Sequence, residues 1–375
     1  MRKTLPGLVT VALVLTLAAC GSDEAVGVKA NMGATVGISM PTKKSTRWLG
    51  DGSSMKDQFK KMGYNVELTY AEEKDDDTPD DNSDVQVAQV NKMIDDGDKL
   101  LVISAVDGEA FTDVLAKAAQ KGVKVIAYDR LLLNTKNVDA QATFDNVKVG
   151  VMQGQLLADK LKLSKGAKGP FHVELFAGSP TDANAHSFYE GSMTVLQKYI
   201  DNGSIVVSSN QTKFGDVAIA DYSEPDSDKR MRLLLRTYYK TTKLDAVLSP
   251  YDGMSRGIIT GLEAYGYGKS KAKRMPIVSG QDAELASVQW MIAGRQTATI
   301  YKDTRELAKV AVQMGNALLT GAPPIVNDRT SYDNKVKKVP TYLLYPVNVD
   351  ANNYKILLVD GGYYTQKQIK TPIAG

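Results

Sequence analysis

Charged and amide side chains follow the strand-like segments of this sequence at the points where those segments end. The apolar run 123–128 leads directly into Asp129 and Arg130, which place a carboxylate beside a guanidinium group. Ligands bind beyond the carboxyl ends of the strands in open α/β sheets, so these side chains are candidates for one site. Further candidates of the same kind are Asn184, Asp252, Gln281, Asp282 and Lys302, with the aromatic residues Trp48 and Tyr222 nearby in the chain.

This mixture of side chains suits a ligand that carries many hydroxyl groups, such as a sugar. Carboxylates accept hydrogen bonds, guanidinium and ammonium groups donate them, and amides do both. A flat aromatic side chain offers a surface to the apolar face of a sugar ring. Charge-assisted hydrogen bonds are strong, so Asp129 and Arg130 can together hold adjacent hydroxyls. The alternative for this pair is an ion pair that only holds two parts of the fold together.

The same residues give little support to catalysis. Paired carboxylates can cleave glycosides, but here the acids occur together with bases and amides, as in a binding ring. Ser249 and Ser279 follow strand-like runs, yet neither stands in a G-x-S-x-G sequence. Two histidines and one cysteine leave little for a metal site or a Cys–His nucleophile. We therefore expect no enzyme activity, no catalytic residue, no metal and no cofactor. A net charge of +3 gives no argument for a nucleic-acid partner.

Apolar runs and helical patterns alternate along most of the chain. The runs are continuously apolar, as in a parallel sheet that helices cover on both faces. Two successive βα series predict an α/β fold with two similar lobes and a cleft between them. The strand-like runs are 35–39, 66–70, 99–104 and 123–128 in the first series, and 171–176, 204–208, 244–249, 276–280 and 297–301 in the second. Helical patterns include 84–96, 109–121 and 303–319.

Residues 1–19 have the layout of a secretory signal, with a basic start, an apolar core and a small-residue ending. The ending LAAC resembles the lipobox of bacterial lipoproteins, which implies that Cys20 is lipidated and that residues 20–34 form a tether. The alternative is an ordinary signal peptide with a chance cysteine. Cys20 is the only cysteine, so the chain forms no intrachain disulfide.

Seven segments occur in an order that resembles one known family: SMP…RW, VIAYDR, FDN, ELFAGSPTDANA, SPYDG, SGQDAE and YKDTRELAK. The family is the periplasmic sugar-binding proteins of ABC transporters, and the likeness is greatest to multiple-sugar-binding and xylose-binding members. It extends from about residue 35 to the C-terminus. The resemblance implies two doubly wound parallel-sheet lobes joined by a three-segment hinge. The expected lobes are 35–138 with 303–340, and 139–302 with 341–375.

The resemblance also implies roles for the matching positions. Arg47 hydrogen-bonds the sugar, and Trp48 and Tyr222 stack on the two faces of its ring. The remaining implied contacts are polar: Asp129, Arg130, Asn184, Asp252, Gln281, Asp282, Lys302 and, as a further candidate, Asp145. The segment 72–84 departs from the family pattern with eight acids and one lysine. We interpret it as a solvated loop; a calcium site is the alternative, although the spacing is not that of an EF-hand.

We therefore predict an extracytoplasmic, lipid-anchored, monomeric solute-binding protein. It would capture a monosaccharide of the xylose, glucose, galactose and arabinose class and deliver it to an ABC permease and its ATPase. One alternative is a sensor that presents the sugar to a membrane receptor, and another is a sugar-modifying enzyme. A LacI-type repressor shares the two lobes, but here a signal peptide stands in the place of the DNA-binding helices.

Overall fold

The computed structural model describes residues 33–43, 45–71 and 82–371. The signal sequence, Cys20 and most of the acidic segment 72–84 lie outside the described residues. Within the described ranges, no helix combines the length and the apolar composition that a membrane crossing requires.

A six-stranded parallel sheet forms the centre of the first lobe. In spatial order its strands are β2 (Asn65–Tyr70), β1 (Thr35–Met40), β3 (Leu100–Ile103), β4 (Lys124–Tyr128), β5 (Ala140–Phe144) and β11 (Thr341–Leu344). Its helices are α1 (Thr46–Lys61), α2 (Ser83–Asp96), α3 (Thr112–Gln120) and α10 (Thr304–Leu319). Each face of the sheet packs into its own apolar cluster, which explains why the central strands β1, β3 and β4 are predominantly apolar.

The second lobe contains a four-stranded parallel sheet and an antiparallel pair beside it. The sheet has the order β7 (Ile205–Val206), β6 (Phe171–Leu175), β8 (Ala246–Leu248) and β9 (Ile277–Val278). The pair is β10 (Ala298–Tyr301) with β12 (Val347–Asp350), and a bridge between Gln281 and Ile300 connects it to the sheet. The α-helices are α4 (Asn146–Lys160), α5 (Ala183–Asp201), α6 (Phe214–Val217), α7 (Glu224–Tyr238), α8 (Asp252–Ala264), α9 (Leu285–Ile292) and α11 (Gln366–Lys370).

The chain passes between the two sheets in three places: at Asp145, at 302–303 and at 345–346. These crossings differ from the expected lobe boundaries, which assigned 139–144 and 341–344 to the second lobe. The structure pairs β5 with β4, and β11 with β5, so both strands belong to the first sheet. The reason lies in the sequence of β5, AQATF, which is entirely buried but too polar to form a continuous apolar run. The strands β11 and β12 were likewise not expected.

Candidate ligand-binding site between the lobes

The first turn of α1 and the end of β4 bring four predicted site residues of the first lobe together. Arg47 and Trp48 lie in that first turn, and Asp129 and Arg130 follow β4. Both guanidinium groups lie over the indole ring of Trp48, at 4.3 Å for Arg47 and 5.4 Å for Arg130. Trp48 is buried, so in this arrangement the two cations occupy the ring surface that was expected to stack on a ligand.

Asp129 lies at the centre of this group. Its Oδ1 atom is 2.9 Å from Nη2 of Arg47, and both side chains are almost completely buried. Burial by itself raises the pKa of the Asp129 carboxyl, but the positive charges of Arg47 and Lys302 outweigh it and lower the pKa below its ordinary value. Burial opposes the charge of Arg47 as well, yet Asp129 and Asp51 raise its pKa. The site therefore holds these groups ionised.

Asp282 and Lys302 bring the second lobe to the same place. The Nζ atom of Lys302 is 2.9 Å from Oδ1 of Asp282, and Nη1 of Arg47 is 3.9 Å from that oxygen. Lys302 lies at the crossing that follows β10, and its buried ammonium group is 5.7 Å from the ring centroids of Phe144 and Phe188. Asp282 thus connects a cation of the first lobe to a cation at a crossing.

Asn184, at the start of α5, makes a second connection between the lobes. Its Nδ2 atom donates to the backbone oxygen of Asp129 at 3.3 Å. Its Oδ1 atom accepts from Nδ2 of Asn146 at 2.7 Å. Asn146 is the first residue of α4 and follows a crossing segment, so this amide pair lies where the two lobes and the hinge meet.

Arg130 and Tyr222 approach one carboxylate, that of Asp182. The Nε atom of Arg130 is 3.6 Å from Oδ2 of Asp182, and the hydroxyl of Tyr222 donates to the same oxygen at 2.7 Å. Arg130 also donates from Nη1 to the backbone oxygen of Ala105 at 2.9 Å. Burial, followed by the charge of Asp182, raises the pKa of Tyr222, so the phenol stays protonated as a donor.

Asp252 has a different environment from the one that was expected. Its Oδ1 atom accepts from Gln296 at 2.7 Å, and its Oδ2 atom accepts from Thr299 at 3.0 Å and from the backbone N–H of Glu284 at 2.9 Å. These three hydrogen bonds lie within the second lobe, where Asp252 supports the loop that carries Asp282. Gln281 lies next to Asp282 and accepts from the Asp252 N–H through its backbone oxygen.

Sequence reasoning missed three residues of this cluster, namely Asp51, Asn146 and Asp182. Asp51 is buried on α1, where it accepts from the hydroxyl of Tyr128 at 2.8 Å and lies 3.4 Å from Nε of Arg47. Its spacing of four residues from Arg47 was the available signal. For Asp182 the signal was its position directly before a helix in SPTDANA. Asn146 had no comparable signal.

The site contains buried polar atoms that are available to a ligand. Among the described residues, six buried side-chain atoms of the cluster have no hydrogen-bond partner: Arg47 Nη2, Asp51 Oδ1, Asp129 Oδ1, Asn146 Oδ1, Gln281 Oε1 and Asp282 Oδ1. Three of these atoms, Arg47 Nη2, Asp129 Oδ1 and Asp282 Oδ1, are 2.9 Å from an oppositely charged atom and so are already paired by charge. Buried polar groups of native proteins normally find partners. Ligand hydroxyls placed among these atoms would supply them.

Backbone strain is concentrated at the same place. Asp129, Tyr222 and Asp282 have φ angles of 61°, 55° and 88°, in the left-handed region that favours glycine. Such conformations cost about 1–3 kcal/mol each and occur most often at functional sites. Three of the predicted site residues share this feature, which supports a functional role for the cluster independently of their side-chain chemistry.

A cavity of about 1080 Å³ lies beside the charged cluster, and both lobes line it. Asn184 lies between the charged cluster and the cavity, because it contacts Asp129 and also lines the cavity. Asp145 lines the cavity as well, and its carboxylate accepts from the backbone N–H of Lys148 at the start of α4. The structure therefore places Asp145 in a helix cap and not among the charged side chains.

Comparisons with known proteins identify the family and the fold of the chain. The family described as "Periplasmic binding protein domain" matches residues 36–323. The multiple sugar-binding periplasmic receptor ChvE of Rhizobium radiobacter is 52% identical over 90% of this chain and 92% of its own length. The D-xylose-binding periplasmic protein of Escherichia coli is 31% identical over 89% of this chain and 92% of its own length. A solute-binding protein of an ABC transporter from Clostridium phytofermentans, solved with bound β-D-glucose, has 46% sequence identity and a TM-score of 0.83, and the match covers 90% of this chain and all of that one.

Proposed function

The chain belongs to the periplasmic binding protein family, and on this basis we propose that it captures a monosaccharide outside the cytoplasm and delivers it to an ABC permease with its ATPase. The ligand class proposed is that of xylose, glucose, galactose and arabinose. The named sugars of the relatives support this choice, since one is a multiple sugar receptor, one binds D-xylose and one was solved with glucose. These relatives are binding proteins, not enzymes.

The observation that carries the proposal is the cluster of ionised side chains that joins the lobes. Asp129 and Asp282 offer acceptors, and Arg47, Arg130 and Lys302 offer donors, within a buried region that still has unused hydrogen-bonding atoms. A neutral sugar fits such a site, because its hydroxyls both donate and accept and no net charge must be compensated. The charged groups strengthen each bond.

The two lobes suggest the mechanism of capture. Three crossing segments allow one lobe to rotate against the other. A sugar that contacts Asp129 and Asp282 together would favour the closed arrangement, because only that arrangement offers both contacts at once. Closure would also give the permease a surface that differs between the empty and the loaded protein. We assign 33–144 with 304–344 to one lobe, and 146–301 with 347–371 to the other.

Titration calorimetry tests the sugar proposal. The purified protein would be titrated with glucose, galactose, xylose, arabinose, ribose and fructose. Tight one-to-one binding of at least one of the first four is expected. No binding of any of the six by a folded protein would contradict the proposal.

The lipid anchor is a separate part of the proposal, and it rests on the sequence LAAC around Cys20. Lipoprotein anchors carry more than one acyl chain, which makes membrane attachment stable. Cys20→Ala should therefore move the protein from the membrane fraction to the soluble fraction, as measured by immunoblotting after fractionation. Sugar binding by this variant should be unchanged. A variant that remains with the membrane would refute lipidation at Cys20.

A further inference from the structure

We propose that Asp182 is a positioning residue that couples three candidate sugar contacts from both lobes. The inference deepens the proposed function and rests on it. Asp182 is almost completely buried, and its two carboxylate oxygens reach Arg130, Asn184 and Tyr222. Among the described residues of the site, no other carboxylate contacts three predicted ligand residues that come from both lobes.

Within the second lobe, Asp182 fixes two of these residues. Its Oδ1 atom accepts from the backbone N–H of Asn184 at 2.9 Å and so caps the start of α5. The cap sets the direction from which the Asn184 side chain reaches Asp129 and Asn146. The Oδ2 atom accepts from the Tyr222 hydroxyl at 2.7 Å.

Tyr222 needs this support because its backbone is strained. Both Asp221 and Tyr222 have positive φ angles, 51° and 55°, which bulky residues rarely adopt. The ring lies directly against Gly178, where an added Cβ atom would be 2.1 Å from the ring. Gly178 thus provides the space for the ring, and Asp182 provides the hydrogen bond at its far end. Together they hold Tyr222 in a position that its own backbone disfavours.

Across the cleft, Asp182 attracts Arg130 of the first lobe. The Nε atom of Arg130 is 3.6 Å from Oδ2 of Asp182, and the two side chains are 17% and 6% exposed. Solvent screens so buried a pair much less than a surface pair. Arg130 is anchored on its own lobe by the backbone oxygen of Ala105. The ion pair therefore connects a fixed point on each lobe, and it orients Arg130 towards the ligand.

A kinetic signature follows from this geometry. The Arg130–Asp182 contact joins the two lobes across the cleft, so it belongs to the closed arrangement that must open before a bound sugar leaves. Its loss should accelerate sugar dissociation and leave association nearly unchanged. An asparagine at 182 can still cap α5 through its one amide oxygen, but it then presents an NH2 group to Tyr222, from which the phenol oxygen can accept, and it has no charge. A serine there can cap α5 but cannot reach Tyr222 or attract Arg130.

The experiment compares the full chain with Asp182→Asn and Asp182→Ser, using the six-sugar panel. Stopped-flow tryptophan fluorescence gives both rate constants, and thermal unfolding of the sugar-free proteins checks that α5 remains capped. We expect koff to rise about tenfold for the asparagine variant and further for the serine variant, with kon and thermal stability close to those of the parent. In an Arg130→Gln background, Asp182→Asn should have a much smaller effect on koff.

The outcomes separate the inference from the proposed function. A parent protein that binds none of the six sugars would overturn both. A parent protein that binds sugar, together with an asparagine variant whose koff is unchanged, would overturn only the role of Asp182. An equal effect of Asp182→Asn with and without Arg130 would also overturn it, since the coupling would then not pass through Arg130.

Discussion

At the scale of single residues, Asp129 keeps its charge in surroundings where a lone carboxylate would lose it. Burial raises the pKa of a carboxyl group, yet the charges of Arg47, Lys302 and Arg130 hold the pKa of Asp129 below its usual value. An ionised, buried carboxylate is a strong acceptor for hydroxyl groups. The cations therefore neutralise Asp129 and at the same time keep it in its accepting form.

The first prediction concerns this residue. Asp129→Asn should weaken sugar binding roughly 100-fold, because a charged hydrogen bond to the ligand is lost and Arg47 loses its partner. Calorimetry measures the change. The matched control is Asp95→Asn, which removes a half-exposed carboxylate that pairs with Lys117 and Lys121 far from the cluster. Equal affinities of the parent protein and the Asp129 variant would rule out Asp129 as a contact.

The pKa of Asp252 is shifted upwards, in the opposite direction to that of Asp129. Burial, and then the negative charge of Glu284, raise the pKa of Asp252 to about 8. The hydrogen bond from Gln296 and the charge of Arg256 offset only part of this effect. An unfolded aspartate has a pKa of about 3.9. Between these two values the folded protein binds more protons than the unfolded chain, so this group makes folding stability fall as pH rises.

The second prediction is the pH dependence that follows. The contribution of Asp252 should decrease by about 1.4 kcal/mol per pH unit at most, and Asp252→Asn should remove it. The difference in Tm between the variant and the parent should shift in favour of the variant as pH rises from about 5 to about 8. Thermal unfolding across this range measures the difference. Parallel curves would show that Asp252 titrates near its unfolded pKa.

At the scale of elements, the close packing of α4 and α5 positions the amide pair of the site. A Cβ atom on Gly150 would lie 2.0 Å from the backbone oxygen of Phe188, and one on Gly191 would lie 2.2 Å from that of Val147. The two helices can approach so closely only because both positions are glycine. Their N-terminal ends carry Asn146 and Asn184, whose side chains meet at 2.7 Å. Helix packing therefore sets the geometry of a predicted sugar contact.

The third prediction tests this packing. Gly150→Ala should force α4 and α5 apart, lower the Tm and weaken sugar binding, since Asn184 would move with α5. Gly50→Ala is the matched control, because Gly50 lies on the exposed side of α1 with open space around it. That change should raise stability by up to about 1 kcal/mol, through helix propensity alone. Similar Tm values for the two variants would contradict the role of the helix contact.

At the scale of the whole molecule, three side-chain contacts of the described site join the lobes: Arg47 with Asp282, Asn184 with Asp129, and Arg130 with Asp182. Two of the three contain unlike charges at distances of 3.6–3.9 Å. A bound sugar that adds hydrogen bonds to both lobes would shift the equilibrium further towards the arrangement that contains these contacts.

The fourth prediction follows for the shape of the protein in solution. Saturation with a tightly bound sugar should lower the radius of gyration, as measured by small-angle X-ray scattering. The Asp129→Asn variant at the same sugar concentration should not respond, because it binds too weakly. A radius that is the same with and without sugar in the parent protein would argue against closure as the capture mechanism.

Much of the fold could be predicted from local patterns. All nine strand-like runs correspond to strands, β1–β4 and β6–β10, because strands packed inside an α/β fold are rich in apolar residues. The strands β5, β11 and β12 were not predicted, since AQATF, TYLL and VNVD are short or mixed in polarity. Their place in the sheets is decided by pairing with distant strands. For this reason the lobe boundaries in the structure differ from those predicted from the sequence.

The sequence by itself determined which loops meet, and the tertiary structure decided which side chains turn towards one another. Asp129, Asp252 and Asp282 all follow strands, at the carboxyl ends of the two sheets, where open α/β sheets bind their ligands. Asp252 nevertheless turns inward to Gln296 and Thr299, whereas Asp129 pairs with Arg47 of its own lobe and Asp282 faces the same arginine across the cleft. The direction of the Asp182 side chain is likewise set by a remote partner, because Asp182 accepts a hydrogen bond from Tyr222, which lies forty residues further along the chain. Side-chain direction depends on partners that are remote in sequence, because burial requires every charge to find its complement in three dimensions.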